Sequence, residues 1–252
     1  NAQGVNQPAD VLTDAVLSRG FAQATSTANV FDQYCNDQLS AEALMMIKEH
    51  IIERYGLPAW TVGVGGSGGA IQQLLIAQNF PGLLDGLLPA LAFPDAVTIA
   101  PSIADCRLLE AYFSRNARAW TAAKRMAVEG HTNGTCAAWD KAFGDVLAAR
   151  PEVTGIAGRP LDNVGVQYGL KGLNSGAITR AEFLDLNATI GGLDSRGRPQ
   201  RQRMAADPLA LGLAYSTGRV NGAAGQAAVP IIEYRSYNDA ASDIHDRVRD
   251  FA

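Results

Sequence analysis

The chain has 252 residues, enough for one large α/β domain or for a core domain carrying a sizeable insertion. Hydrophobic residues make up 47% and charged residues 18%, which excludes a disordered chain, and no apolar run approaches the roughly 18 residues a membrane-spanning helix needs. A formal net charge of −4 offers nothing that nucleic acid or an anionic membrane would attract.

The sequence opens with neither Met nor a charged-then-apolar leader, so Asn1 reads as a processed or trimmed start. Asp10 to Arg19 predicts a helix, with Val11, Leu12 and Val16 on one face and Gly20 as its stop. "GFAQATSTANV" predicts a short strand of small alternating residues. Ser40 then stands where a cap belongs, ahead of "AEALMMIKEHIIERYG". Leu44, Ile47 and Ile51 share a helical face there, and Gly56 sits at the stop position. Trp60 to Val64 predicts a strand, Ala70 to Gln78 a helix and Leu87 to Ala92 a second buried strand. This α-β-α-β-α-β order, with near-continuous apolar strands, predicts a parallel sheet with helices on both faces.

After Asp95 the rhythm changes. Pro101 to about Gln226 is helical and loop-rich with no clear strand. Thr179 and Glu182 form a capping-box pattern, and Val229 to Tyr234 returns as a strand. The domain expectation is therefore a core of residues 1–95 and 227–252, interrupted by a helical lid over 96–226. Cys35, Cys106 and Cys136 make no CxxC and have no His at ligand spacing, which argues against zinc. Cys106 and Cys136 can bridge a loop of about 30 residues in an exported protein, the alternative being three buried thiols.

Between the first strong strand and its helix lies "GVGGSGG", in which Gly65, Ser67 and Gly69 satisfy G-x-S-x-G. That context predicts a nucleophile elbow: a tight, strained turn that lifts one hydroxyl off the end of a strand. Side chains on the flanking residues would collide, and the N–H of Gly68 at the helix start can face a developing oxyanion. A phosphate loop is the rival. A Walker motif would need Lys where Ala70 stands. Gly63, Gly65 and Gly68 also match a dinucleotide fingerprint, but the acidic residue at that distance, Asp85, precedes the next strand instead of ending it. A third reading is a purely structural glycine turn.

An elbow serine needs a base and an acid, in the chain order Ser, Asp or Glu, His. Asp239 follows the late strand and fits the acid, with Asp243 and Asp246 as alternatives and solvated loop carboxylates as the plain reading. Of the three histidines, His50 lies mid-helix upstream and His131 in a turn of the insertion. Only His245 follows the acid, so it is the candidate base unless the base lies outside the chain. Early strands and the last strand of a full hydrolase sheet also have no counterpart in the sequence.

"GVGGSGGAIQQLLIAQNFPGLLDGLLP" resembles the elbow and following helix of exported α/β hydrolases related to tannases and feruloyl esterases. "STANVFDQYCND", "GLKGLNSGAIT" and "PIIEYRSYNDAASDIHDR" resemble an uncharacterised group of secreted bacterial hydrolases in the same circle. The resemblance implies an α/β-hydrolase-type, mostly parallel sheet with a large helical lid, and a secreted or periplasmic protein. It also implies ester hydrolysis through an acyl-enzyme, with Ser67 as nucleophile, Asp239 as acid and no metal in the chemistry. Tannase-like enzymes carry Cys just before the serine, bonded to a Cys beside the catalytic His. Here Gly66 stands in that position.

Asp194 in "GGLDSRGRPQ", near Asp185 and Asn187, suits a structural calcium in the lid or a plain turn. Asn133 and Asn187 lie in glycosylation sequons. "RGRPQRQR" reads as a solvated lid edge. Tyr168 and Tyr215 are candidate substrate contacts, as is Phe113, with lid-core packing as the alternative. The expected function is a serine carboxylic-ester hydrolase. Its alternatives are an amidase or peptidase with the same triad, or a subunit that needs a second chain, or a second copy, to complete the sheet.

Overall fold

The computed structural model describes residues 11–29, 36–131, 134–143, 158–222 and 226–235. They divide into two compact units, one running to Pro94 and resuming at Asn221, the other spanning Asp95–Val220. The fold is mixed α/β, with a small parallel sheet in the first unit.

In the first unit, α1 (Asp14–Leu17) is a single turn that Gly20 terminates at φ 79°. The strand expected over "GFAQATSTANV" is absent from its described residues, where Thr27–Asn29 forms a 3-10 turn. Ser26 Oγ donates to Asn29 Oδ1 at 2.7 Å, and Asn29 Nδ2 donates to the carbonyl and the hydroxyl of Ser40 at 3.0 and 3.1 Å. Short polar side chains with such partners draw the chain away from a ladder. Ser40 is in turn not the cap of α2 (Asp37–Tyr55). Asn36 caps that helix by accepting the Leu39 N–H at 3.0 Å, while Ser40 is buried inside it and also receives Gln72. Gly56 closes α2 at φ 88°.

β1 (Val62–Gly66) begins two residues later than the apolar run suggests, because Thr61 and Asp85 close its start. Thr61 N–H donates to Asp85 Oδ2 at 2.7 Å, and Asp85 N–H donates to the Thr61 carbonyl at 2.8 Å. Helix α3 (Gly68–Asn79) leads to β2 (Gly86–Ala90), which pairs parallel with β1 from Val62↔Gly86 to Gly66↔Ala90. On the far side of β2, the predicted late strand runs parallel as well, through bridges Leu87↔Ile231 and Ala90↔Tyr234. Leu87 N–H donates to Pro230 and Ile232 N–H to Leu87, and Tyr234 N–H to Pro89, at 2.9–3.0 Å. Leu74, Leu75 and Ile76 of α3 are buried, as are Leu84 and Leu87, and α3 lies against both β1 and β2.

The second unit is helical: α4 (Ala96–Arg115), α5 (Ala122–Glu129), α6 (Thr135–Phe143), α7 (Leu170–Asn174), α8 (Arg180–Thr189) and α9 (Pro208–Ser216). Leu108, Phe113, Leu186 and Ile190 lie at its core, with Tyr112, Phe113 and Trp120 stacked edge-on or tilted at 5.1–5.7 Å. Asp95 caps α4 through the Thr98 N–H at 2.6 Å, Asp207 caps α9 through Ala210 N–H at 2.8 Å, and Thr179 and Glu182 close the predicted reciprocal box on α8. Strand structure does occur in this stretch, where the sequence predicts none. β3 (Gly192–Leu193) and β4 (Pro199–Gln200) make a two-residue antiparallel hairpin. The Cys106–Cys136 disulfide forms, joining α4 to α6, and Cys35 lies outside the described residues.

Candidate functional site

Ser67 stands between the last residue of β1 and the first of α3, with φ 52° and ψ −112°. Only one other described residue besides glycine has positive φ, Leu91 at 52°, which directly follows β2. The two sit side by side in the sheet: the N–H of Ser67 donates to the carbonyl of Ala90 at 2.9 Å, and that of Leu91 to Tyr234 at 2.8 Å. Both strained residues therefore lie at the carboxyl ends of adjacent parallel strands. In open parallel sheets, ligands bind beyond that edge, and strain of this kind gathers at functional positions.

The glycines around Ser67 have separate steric duties. A Cβ on Gly65 would stand 3.0 Å from Gly69 Cα and 3.1 Å from its carbonyl carbon and oxygen. Gly65 and Gly69 thus lie against each other across the turn, and no larger residue fits at Gly65 without moving the backbone. A Cβ on Gly63 would meet Gln73 Cβ at 3.0 Å. The Ser67 carbonyl accepts the N–H groups of Ala70 and Ile71 at 3.0 and 3.1 Å, starting α3 directly at the turn. Gly68 is the first residue of α3, where N–H groups have no intrahelical acceptor. Ser67 and Gly68 are both partly exposed.

The other expected triad members, Asp239 and His245, with the alternatives Asp243 and Asp246, lie outside the described residues. His50 is exposed on α2, and the ring of His131 lies 5.1 Å from that of Trp139.

The two candidate substrate tyrosines part company. Tyr215 is 66% exposed on α9. Tyr168 is 5% exposed; its hydroxyl donates to Asp105 Oδ1 at 2.5 Å and accepts from Asn163 Nδ2 at 3.0 Å. Burial raises the Tyr168 pKa, with the Asp105 carboxylate adding to the effect, and burial likewise raises that of Asp105. This polar cluster continues through Arg203, whose guanidinium lies 4.9 Å over the Tyr168 ring and donates to the carbonyls of Asn163, Val166 and Asn187. Arg203 is thus a tie between loops, not part of a solvated edge. Phe113 is wholly buried in the same unit.

The Asn187 side chain is committed as well: its Nδ2 donates to Tyr168 and Phe183 carbonyls and its Oδ1 accepts the Tyr168 N–H. A glycan there would cost those bonds. Asp194 closes the β3–β4 hairpin by accepting N–H groups of Arg196 and Arg198 at 2.9 Å and the Arg198 side chain at 3.2 Å, which holds its carboxyl below the usual range. The Asp194 carboxylate is thus engaged within its own hairpin turn, and among the described residues no group of three or more His, Cys, Asp or Glu is placed to hold a metal ion.

Gln73 is the residue that sequence reasoning passed over. It is 3% exposed and bonds to β1, β2 and the helix start, yet an isolated glutamine in an apolar helix carries no pattern that marks it.

No curated protein and no solved structure matches the chain. A family model does, over residues 1–154 and 146–252, and that match covers the glycine-flanked serine together with the helical second unit. The chain belongs to the Tannase-like family of unknown function (DUF6351).

Proposed function

We propose that the protein is a serine hydrolase that cleaves carboxylic esters through an acyl-enzyme. The observation that carries this reading is Ser67 at φ 52° between a parallel strand and a helix N-terminus, with Gly65 and Gly69 in contact across the turn. That is the backbone corner a nucleophile elbow requires. The tannase-like family is consistent with hydrolase chemistry.

In this reading Ser67 Oγ attacks the ester carbonyl while His245 takes its proton, and Asp239 holds the imidazole in the correct tautomer. The negative charge that develops on the carbonyl oxygen is met by the Gly68 N–H and the positive end of α3. Collapse of the tetrahedral species expels the alcohol, protonated by the histidine. Water then attacks the acyl-Ser67 ester by the same route in reverse roles. The chemistry needs no cofactor or metal. The Cys106–Cys136 disulfide favours a secreted or periplasmic setting.

A fluorophosphonate probe tests the core of this. Labelling confined to Ser67 and lost in Ser67→Ala is expected, together with turnover of p-nitrophenyl esters but not of the matching anilides. An unlabelled protein in every native assembly sinks the reading.

One observation favours a second reading, in which the chain needs another polypeptide to complete its sheet. Val62, Val64, Leu88, Ile232 and Tyr234 share the sheet face opposite α3, with Val64 76%, Ile232 71% and Tyr234 75% exposed. Among the described residues β1 pairs only with β2. Parallel sheets are covered on both faces, and an exposed apolar patch on the order of several hundred Å² marks a contact surface. Intact and native mass of material from its own source decides. A companion beyond the 26.6 kDa chain supports this reading, and a fully reactive bare monomer removes it.

A further inference from the structure

Gln73 lies in the second turn of α3 and, among the described residues of the first unit, is one of the few buried polar side chains. Its Nε2 donates to the carbonyl of Gly65 at 3.2 Å and to that of Gly69 at 3.1 Å. Its Oε1 accepts the N–H of Leu88 at 2.9 Å. One amide therefore holds the end of β1, the start of α3 and the middle of β2, the three segments that meet around Ser67. The chain makes room for it: a Cβ on Gly63 would stand 3.0 Å from Gln73 Cβ and 3.2 Å from its Oε1.

Strained backbone persists only where its surroundings over-determine it. Ser67 is held from one side by its N–H bond to Ala90. The two carbonyls that Gln73 binds belong to Gly65 and Gly69, two residues before Ser67 and two after. We infer that Gln73 is a positioning residue that fixes the angle of the Ser67 turn, an inference that rests on Ser67 being the nucleophile. Both ends of the amide are required: a donor for the two carbonyls and an acceptor for Leu88. An ionised glutamate supplies only the acceptor, and sets a negative charge against two carbonyl oxygens. A protonated one regains an O–H donor, and burial favours that form.

The test compares the 252-residue chain with Gln73→Met and Gln73→Glu. Fluorophosphonate labelling of Gln73→Met slows roughly 10- to 100-fold, as expected when a reacting group is held loosely. In ester hydrolysis kcat falls by the same factor while KM holds. Labelling of Gln73→Glu relative to wild type is poor at high pH and recovers as pH is lowered between about pH 9 and pH 5, as the buried carboxyl takes up its proton. That recovery is read within one folded variant, so it decides even where Gln73→Met does not fold. Labelling at the wild-type rate per folded molecule in both variants, or a flat Gln73→Glu ratio across pH, overturns the inference. A wild-type chain that does not label removes the nucleophile reading instead. Amide exchange then decides on Gln73: exchange at Ser67 N–H that quickens in the Glu variant, while Leu75 to Ala77 keep wild-type rates, supports the positioning role, and uniform rates overturn it.

Discussion

Ser67 holds a backbone conformation that any β-carbon makes costly, by about 1–3 kcal/mol. Glycine would relieve that cost. Ser67→Gly is therefore expected to raise the melting temperature by a few degrees while abolishing probe labelling, whereas Ser67→Ala abolishes labelling with no such gain. Equal melting temperatures for the two variants in thermal unfolding would contradict the strain. Gly65→Ala works the other way: its new methyl meets the Gly69 backbone at 3.0–3.1 Å, and about 1–3 kcal/mol of stability is lost in denaturant titration, with labelling lost too. Ser67 was legible in the sequence because glycines at fixed offsets leave a pattern. Gln73 was not, because its role lies in three bonds to residues up to fifteen positions away. Tyr168 illustrates the same limit. Its residue type suits a pocket wall and a core equally, and only its burial with Asp105 and Asn163 places it in the core.

Elements were most legible where local chemistry decides them. The box of Thr179 and Glu182 closes as its spacing predicts, with the Glu182 side chain also paired to Lys124. Thr179→Ala is expected to cost about 1 kcal/mol, measured as a shifted urea midpoint with an unchanged slope. The start of α2 misled because two capping-type residues, Asn36 and Ser40, lie one turn apart, and the choice between them falls to Ser40's tertiary partners. The disulfide binds α4 to α6 across a separation of 30 residues. Its removal by a Cys106→Ala, Cys136→Ala double substitution is expected to lower stability by about 2–4 kcal/mol in the same assay.

Two features act on the whole molecule. Glu129 lies in the second unit with its carboxyl pushed up to about 7, first by burial and then by Glu110, against a smaller opposing pull from Arg125. The unfolded carboxyl titrates at 4.5, so between 4.5 and about 7 the folded chain binds the extra proton. Stability therefore falls as pH rises through that window, and Asp105, raised by its own burial, adds the same sign. Since Glu129 is only half-buried, roughly 1 kcal/mol remains after solvent screening. Glu129→Gln is expected to melt higher than wild type at pH 8 and level with it at pH 4. A gap that is the same at both pH values contradicts this. The uncovered face of Val64, Leu88, Ile232 and Tyr234 predicts strong binding of an apolar dye by the isolated chain, which Val64→Lys with Ile232→Lys should abolish.

The sequence by itself determined the glycine-serine corner, the parallel strands around it and the change to helix after Asp95. Each of these follows from short-range steric or periodic rules that neighbouring residues enforce on one another. Tertiary structure alone decided that the early "GFAQATSTANV" run is no strand, that Asn36 and not Ser40 caps α2, and that Arg203 and Asn187 serve the interior. It also decided that Gln73 binds the corner together. In each of those cases a polar side chain had several partners in principle. Which one it took depended on chain brought near from a distance, and no local pattern records that.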